Sequence, residues 1–282
     1  MNTVCTIEEI RSYVRSVRAE GKSIAFVPTM GNLHNGHLSL VTRAKELADI
    51  VIVSIYVNQL QFGPNEDFDS YPRTLARDEE LLQAQGVDMV FAPTPEIIYP
   101  RGLDNHTTVR VDVLDGMHCG KSRPGFFTGV ATVVTKLLNI VQPDFAVFGE
   151  KDFQQLAIIR RMIEDLCIPV QIIGAPIARA ETGLALSSRN GYLSDAERTQ
   201  ATEISRTMHA AKDAILAGET SYDAIQHHAI EHLAEQGFQP DYFNIVRRSD
   251  LQPAAPEDKE IVILAAAALG RARLIDNLQI DL

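Results

Sequence analysis

The sequence predicts an α/β fold: a doubly wound, Rossmann-like parallel sheet in an N-terminal domain, residues 1–176, and a smaller α+β domain, residues 177–282. Three observations carry this. Short β-rich runs alternate with helical stretches through the first part of the chain. The runs are apolar throughout, as in SIAFVP at 23–28, the mark of strands covered on both faces. Past residue 176 the alternation stops, and two helices precede two further β-rich runs.

The first 25 residues alternate polar and apolar positions, with Glu8, Glu9, Arg11, Arg15 and Arg18 spread among them. Strands are then expected at Ser23–Pro28, Ile50–Val57, Met89–Ala92, Phe145–Phe148 and Val170–Ala175. Helices are expected between them at Gly36–Ala48, Thr74–Gln85, Gly129–Val141 and Phe153–Leu166. In the third of these, Val130, Val133, Val134, Leu137, Leu138 and Val141 keep helical spacing until Pro143 closes the segment. Glu181–Gly191 reads as a connector. Ser194–Leu216 and Ser221–Gln236 read as helices, the first opened by a capping-box pair, Ser194 and Glu197. Strands at Tyr242–Val246 and Ile261–Ala265 flank a polar loop, RRSDLQPAAPEDKE. A doubly wound sheet places ligands where loops leave the carboxyl ends of strands.

Composition narrows the partners. Of 282 residues, 26 are basic and 37 acidic, a net charge of −11 that disfavours nucleic acid and anionic membrane at long range. Cys5, Cys119 and Cys167 form no C-x-x-C pair and fit a reducing compartment. No apolar run precedes residue 25, and the longest one, Ile261–Leu269, is far short of the roughly 20 residues of a membrane helix. A cytoplasmic protein is expected.

The most informative stretch is FVPTMGNLHNGHLSL, residues 26–40. A buried strand runs through Met30 and Gly31 into His34-x-Gly36-His37 and an amphipathic helix. The helix start offers free N–H groups to an anion, and two imidazoles three residues apart reach the same phosphate. A pair of surface histidines is the plain alternative, and zinc a second, for which no third ligand lies close in sequence. Asn58, Gln59 and Gln61 follow the strand IVIVSIYV, where an amide can donate to a carboxylate and accept from a hydroxyl. In FGEKDFQQL, residues 148–156, Gly149 permits close approach, Lys151 is a point charge for phosphate, and Asp152 serves ribose or caps a helix. His228-Ala-Ile-Glu231-His232 matches a zinc-protease spacing but has no evident third ligand, and His227 beside it suggests a polar helix face.

His34-x-Gly36-His37 in this context is the HxGH signature of the nucleotidyltransferase superfamily, which includes the class I aminoacyl-tRNA synthetases. The wider sequence resembles one family within it, the pantoate–β-alanine ligases or pantothenate synthetases. The stretches that carry the resemblance are PTMGNLHNGH (28–37), YVNQLQFGPNEDFDSYPRT (56–74), CGKSRPGFFTGVATVVTKL (119–137), FGEKDFQQL (148–156) and LALSSRN (184–190), in the family's order. The resemblance implies an ATP- and Mg²⁺-dependent ligase that joins pantoate to β-alanine through pantoyl adenylate, with a C-terminal lid domain and a homodimeric assembly. It places ATP on Met30, Gly31, His34, Gly36, His37, Gly149, Glu150, Lys151, Asp152, Ala178, Leu186, Ser187, Ser188 and Arg189. It places pantoate on Gln61 and Gln155, β-alanine on Gln61, and catalysis on His34, His37, Lys151 and Arg189. Leu186–Arg189 resembles the superfamily's KMSKS-type loop, but lacks its lysines, which leaves the charge to Arg189. Lys121 and Arg123 in GKSRPG resemble a loop near anionic substrates with open roles. Mg²⁺ is expected on the ATP phosphates, with no protein metal site. A transferase that stops at adenylation and a nucleotide-sensing module are the competing readings; Gln61 and Gln155 disfavour the first, and the intact histidine pair the second.

Overall fold

The apolar runs after residue 23 become neighbouring parallel strands in a computed structural model that describes residues 1–64 and 66–282. Asn65, inside the 56–74 motif, lies outside the described residues. The chain divides into two units. The first comprises Met1–Gly116, Arg123–Glu150 and Gln155–Pro176; the second comprises Met117–Ser122, Lys151–Gln154 and Ile177–Leu282.

The first unit carries strands β1 (Asn2–Val4), β2 (Ile24–Thr29), β3 (Ile50–Ile55), β4 (Met89–Phe91), β5 (Phe145–Gly149) and β6 (Gln171–Ala175). Every pair is parallel, in the order β1-β4-β3-β2-β5-β6. Its helices are α1 (Ile7–Ala19), α2 (Asn35–Lys45), α3 (Leu75–Ala84), α4 (Pro95–Ile98), α6 (Phe126–Val141) and α7 (Phe153–Asp165), the last beginning in the second unit's short segment; α5 (His118–Ser122) belongs to the second unit. The chain winds outward from β2 through β3 to β4, then returns to place β5 against the other edge of β2. Strand order therefore reverses between β2 and β5, and their carboxyl ends carry the HxGH and FGEKD segments.

Three local expectations need correction. Residues 2–19, where no element was expected, hold β1 and α1: Thr6 and Glu9 form a capping box, and Ile10, Val14 and Val17 bury one helical face. Helix α6 starts three residues before the expected Gly129, because Gly125, in the left-handed region after Pro124, caps it at Phe126. The connector at 181–191 is ordered structure of the second unit, a bridged turn (Arg179 to Ala185) followed by a 3-10 helix at Ser188–Tyr192.

In the second unit, α8 (Asp195–Gln200), α9 (Thr202–Leu216) and α10 (Tyr222–Glu235) accompany an antiparallel sheet of β7 (Gln239–Arg247), β8 (Glu260–Leu269) and β9 (Ala272–Asp281). The expected helix at Ser194–Leu216 is two helices joined at Ala201, and its capping box is present between Ser194 and Glu197. Strand β8 runs on through the alanines, since Ala265 and Ala267 are buried in one core with Ile204, Met208 and Leu233. Strand β9 was not expected.

His118 ties α5 into this unit. Its Nε2 donates to the Leu251 carbonyl at 2.9 Å, and its Nδ1 accepts from Asn244 Nδ2 at 2.8 Å. Burial lowers its pKa, and the bond to the carbonyl opposes this in part. The unfolded histidine takes a proton near pH ~6.5, and the folded one only below that. The stability this site contributes is therefore complete above about pH 6.5 and is lost as pH falls through the folded pKa. Melting temperature should decline on acidification below about pH 6.5 more steeply in wild type than in His118→Gln. Parallel declines would show that other groups set the slope.

Candidate active site

The turn after β2 is built around a buried carboxylate. Asp78 on α3, only 1% exposed, accepts the N–H groups of Asn32 at 2.9 Å and Leu33 at 2.8 Å and the Thr74 hydroxyl at 3.1 Å. Gly31 (φ 78°) and Asn32 (φ 50°) are both left-handed, and a Cβ on Gly31 would stand 3.0 Å from Asp78 Oδ2 and 3.1 Å from Ile55 Cγ2. The chain is thereby delivered to α2 in one orientation. There His34 is the cap: its Nδ1 accepts the Gly36 N–H at 3.1 Å, and His37 Nδ1 accepts the His34 N–H at 3.4 Å. The rings lie 4.1 Å apart, centroid to centroid. A backbone N–H only donates, so both Nδ1 atoms are acceptors and each neutral ring carries its proton on Nε2.

The segment after β3 brings Met30 and Gln61 together, Gln61 Nε2 donating to Met30 Sδ at 3.1 Å. Asn58, also buried, donates to Gln61 Oε1 at 3.2 Å and to the Gly129 carbonyl at 3.1 Å, and its Oδ1 accepts from Tyr99 Oη at 2.9 Å. Burial pushes the Tyr99 phenol up and that of neighbouring Tyr56 up to about 12, so both stay protonated donors. Gln59 is exposed. Arg123 is engaged within this unit: it pairs with both Glu66 oxygens, Nε at 2.6 Å, donates to the Gln61 carbonyl at 3.3 Å, and lies 3.6 Å over the Phe126 ring.

Gly149 ends β5 and Glu150 opens the 3-10 turn after it, both in the first unit, whereas Lys151 and Asp152 belong to the second. The adjacent glutamines differ. Gln154 is buried and bound to the Cys119 N–H at 3.1 Å and the Met117 carbonyl at 2.8 Å. Gln155 is half-buried and makes no side-chain hydrogen bond among the described residues.

Within the second unit, Leu186 N–H bonds the Ala178 carbonyl at 2.9 Å, and Ser187 Oγ caps the following turn through the Arg189 N–H at 3.3 Å. Lys151, Ser187, Asn190, Ser205 and Asp276 line a small cleft. Lys121 is exposed on α5. On α10, His227 pairs with Glu231 at 3.2 Å and His232 faces Glu203 at 3.8 Å, both at the surface. Among the described residues, no three His, Cys, Asp or Glu are grouped to hold a metal, and no helix is long and apolar enough to cross a membrane.

The profile of one family, described as Pantoate-beta-alanine ligase, matches residues 2–279. The chain belongs to that family. As a pantoate–β-alanine ligase family member it is an amide-forming ligase. It is 56% identical over 280 residues to a pantothenate synthetase of Marinobacter nauticus, covering 99% of each chain, and 55% identical to one of Pseudomonas aeruginosa, covering all of both. The crystal structure of pantothenate synthetase from Thermus thermophilus superposes with a TM-score of 0.91 at 44% identity, over 99% of each chain. A pantoate-beta-alanine ligase from Francisella tularensis, solved in complex with beta-gamma ATP and beta-alanine, does so at 0.82 and 35% identity, over 99% of this chain and 97% of that one. The Rossmann-like parallel sheet and the smaller antiparallel sheet are those of these ligases. Asp78 and Gly129 are framework residues to which sequence reasoning gave no role, and Asn58, singled out there as a strand-end amide, braces Gln61 and the Gly129 carbonyl.

Proposed function

We propose that the chain makes pantothenate from pantoate and β-alanine, converting ATP to AMP and pyrophosphate through pantoyl adenylate. The observation that carries the mechanism is the histidine pair at the start of α2, each ring with its proton on Nε2. Pantoate's carboxylate is ionised at neutral pH, since carboxyl pKa values lie near ~4, so the first step needs no general base. A carboxylate oxygen attacks the α-phosphorus and the bond to pyrophosphate breaks. His34 and His37 then donate Nε2–H to phosphoryl oxygens as charge builds on them. In the second step the β-alanine amine attacks the acyl carbon as its free base, the acyl–oxygen bond to AMP breaks, and the proton left on the nitrogen passes to water.

The other assignments follow the same reading. In the first unit, Met30, Gly31, Gly36, Gly149 and Glu150 border the nucleotide, while Gln61 and Gln155 hold pantoate and Gln61 later meets β-alanine. In the second unit, Lys151, Ser187, Ser188 and Arg189 serve the triphosphate, Asp152 the ribose, and Ala178 and Leu186 the base through backbone. Bound to the ATP phosphates, Mg²⁺ supplies further charge neutralisation. The protein is read as cytoplasmic on its cysteine usage and apolar pattern, and as a homodimer on the family resemblance.

Measuring AMP and pyrophosphate with pantoate, with and without β-alanine, tests the reaction. Pyrophosphate should appear on mixing enzyme, ATP and pantoate, and sustained AMP release should require β-alanine. Turnover indifferent to β-alanine would mark a transferase that stops at adenylation, and no turnover a nucleotide-binding module. Gln61→Ala and Gln155→Ala should each raise the KM for pantoate on the order of tenfold to a hundredfold, the scale of lost hydrogen bonds to an ionised group, with ATP binding retained. Loss of ATP affinity instead would move pantoate elsewhere.

A further inference from the structure

Two neighbouring residues on β9, Asp276 and Asn277, take no part in the reaction as proposed, yet both are almost wholly buried, at 6% and 3% exposure. Each ends on a segment assigned to ATP. Asp276 receives a two-pronged bond from Arg179, Nη1 to Oδ2 at 2.7 Å and Nη2 to Oδ1 at 2.9 Å. Arg179 stands in the bridged turn that runs from Ala178 to Leu186, pairs there with Ala185, and donates to the Gly183 carbonyl at 3.0 Å. That turn ends one residue before Ser187 and returns Leu186 to the Ala178 carbonyl. Asn277 Nδ2 donates to the Lys151 carbonyl at 2.9 Å. The two anchors are themselves joined, since Asn277 N–H donates to Asp276 Oδ1 at 2.8 Å and Arg179 Nη2 reaches the Asn277 carbonyl at 3.4 Å.

One strand thus holds the backbone of Lys151 and the root of the Ser187–Arg189 loop. A buried ion pair contributes little net stability beside an apolar replacement of similar volume, so this arrangement fixes geometry more than it holds the fold. Geometry is what charge stabilisation in a transition state requires, since a cation displaced by about 1 Å forfeits on the order of a hundredfold in rate. We infer that Arg179, Asp276 and Asn277 are positioning residues for adenylate formation, setting Lys151 and Arg189 relative to one another. This rests on the assignment of those two cations to the triphosphate.

The test uses the full chain and times the two half-reactions separately in single turnovers. Arg189→Ala should slow adenylate formation from ATP and pantoate far more than attack of β-alanine on preformed pantoyl adenylate. Arg179→Met should slow the first step about tenfold and leave the second unchanged, and add little when combined with Arg189→Ala, because it acts through the loop. Asn277→Ala should raise the KM for ATP and not that for pantoate. Should Arg179→Met fold poorly with Asp276 left unpaired, Arg179→Met with Asp276→Leu removes both charges and should melt near wild type while keeping the first-step defect. Wild-type adenylate formation in that double variant, beside a slow Arg189→Ala, would overturn the inference alone. Equal slowing of both steps in Arg189→Ala, or of neither, would overturn the placement of the loop and the inference with it.

Discussion

His37→Ala should lower turnover by roughly 10²–10³, the loss that follows removal of one preorganised donor, and should slow both half-reactions. Both pass through charge on the α-phosphoryl group, as the pentacoordinate species in the first and as departing AMP in the second. The geometry makes the donor specific: with Nδ1 committed to the His34 N–H at 3.4 Å, only Nε2 is left to carry the proton. His34→Ala should cost a similar factor with a larger share in ATP binding, since its Nδ1 also caps α2 through the Gly36 N–H at 3.1 Å. Turnover near wild type in His37→Ala, with circular dichroism unchanged, would remove the pair from the chemistry.

What the sequence made legible is whatever a few consecutive residues decide. Strands β2, β3 and β5 are apolar on both faces because both faces are covered, and each is recognisable without its neighbours. The capping box of Ser194 and Glu197 and the histidine pair are three-residue spacings, and both are present as expected. Strand β1 is three residues paired with β4 at the sheet's edge, too short to show a period. Helix α1 hid behind its charges, although Ile10, Val14 and Val17 keep helical spacing. Strand β9 carries Asp276 and Asn277 in its buried middle, which interrupts the apolar alternation a strand is known by. The site divides the same way. His34 and His37 are read from their own segment, whereas Asp78 lies 45 residues from the Leu33 N–H it accepts. Nothing local distinguishes such an aspartate from a solvated one on an amphipathic helix. Arg123 is the converse: its loop resembles one near anionic substrates but left its role open, and the fold pairs it with Glu66.

Gly129→Ala should damage both stability and the use of pantoate. A Cβ there would stand 2.3 Å from the Leu60 carbonyl oxygen, 2.5 Å from its carbon and 2.9 Å from Gln61 N, all backbone atoms that cannot rotate away. The same contact is drawn tight from the other side, where Asn58 bonds both Gln61 Oε1 and the Gly129 carbonyl. Helix α6 or the Gln59–Gln61 turn must therefore move. Overpacking of this kind costs about 1–3 kcal/mol and more where backbone is hit, and a loss of about 1–3 kcal/mol lowers the melting temperature by roughly 2–5 °C in a chain of this size. The displaced residue is Gln61, proposed above to hold pantoate, so the KM for pantoate should rise at least about tenfold, while ATP binding, proposed to use the separate turn held by Asp78, stays close to wild type. Gly116→Ala is the matched control, because a Cβ there meets nothing within 4 Å. Thermal melts and substrate titrations on the two variants decide the matter. A Gly129→Ala protein that melts and uses pantoate like Gly116→Ala would mean that the approach of α6 to the turn does not set the position of Gln61.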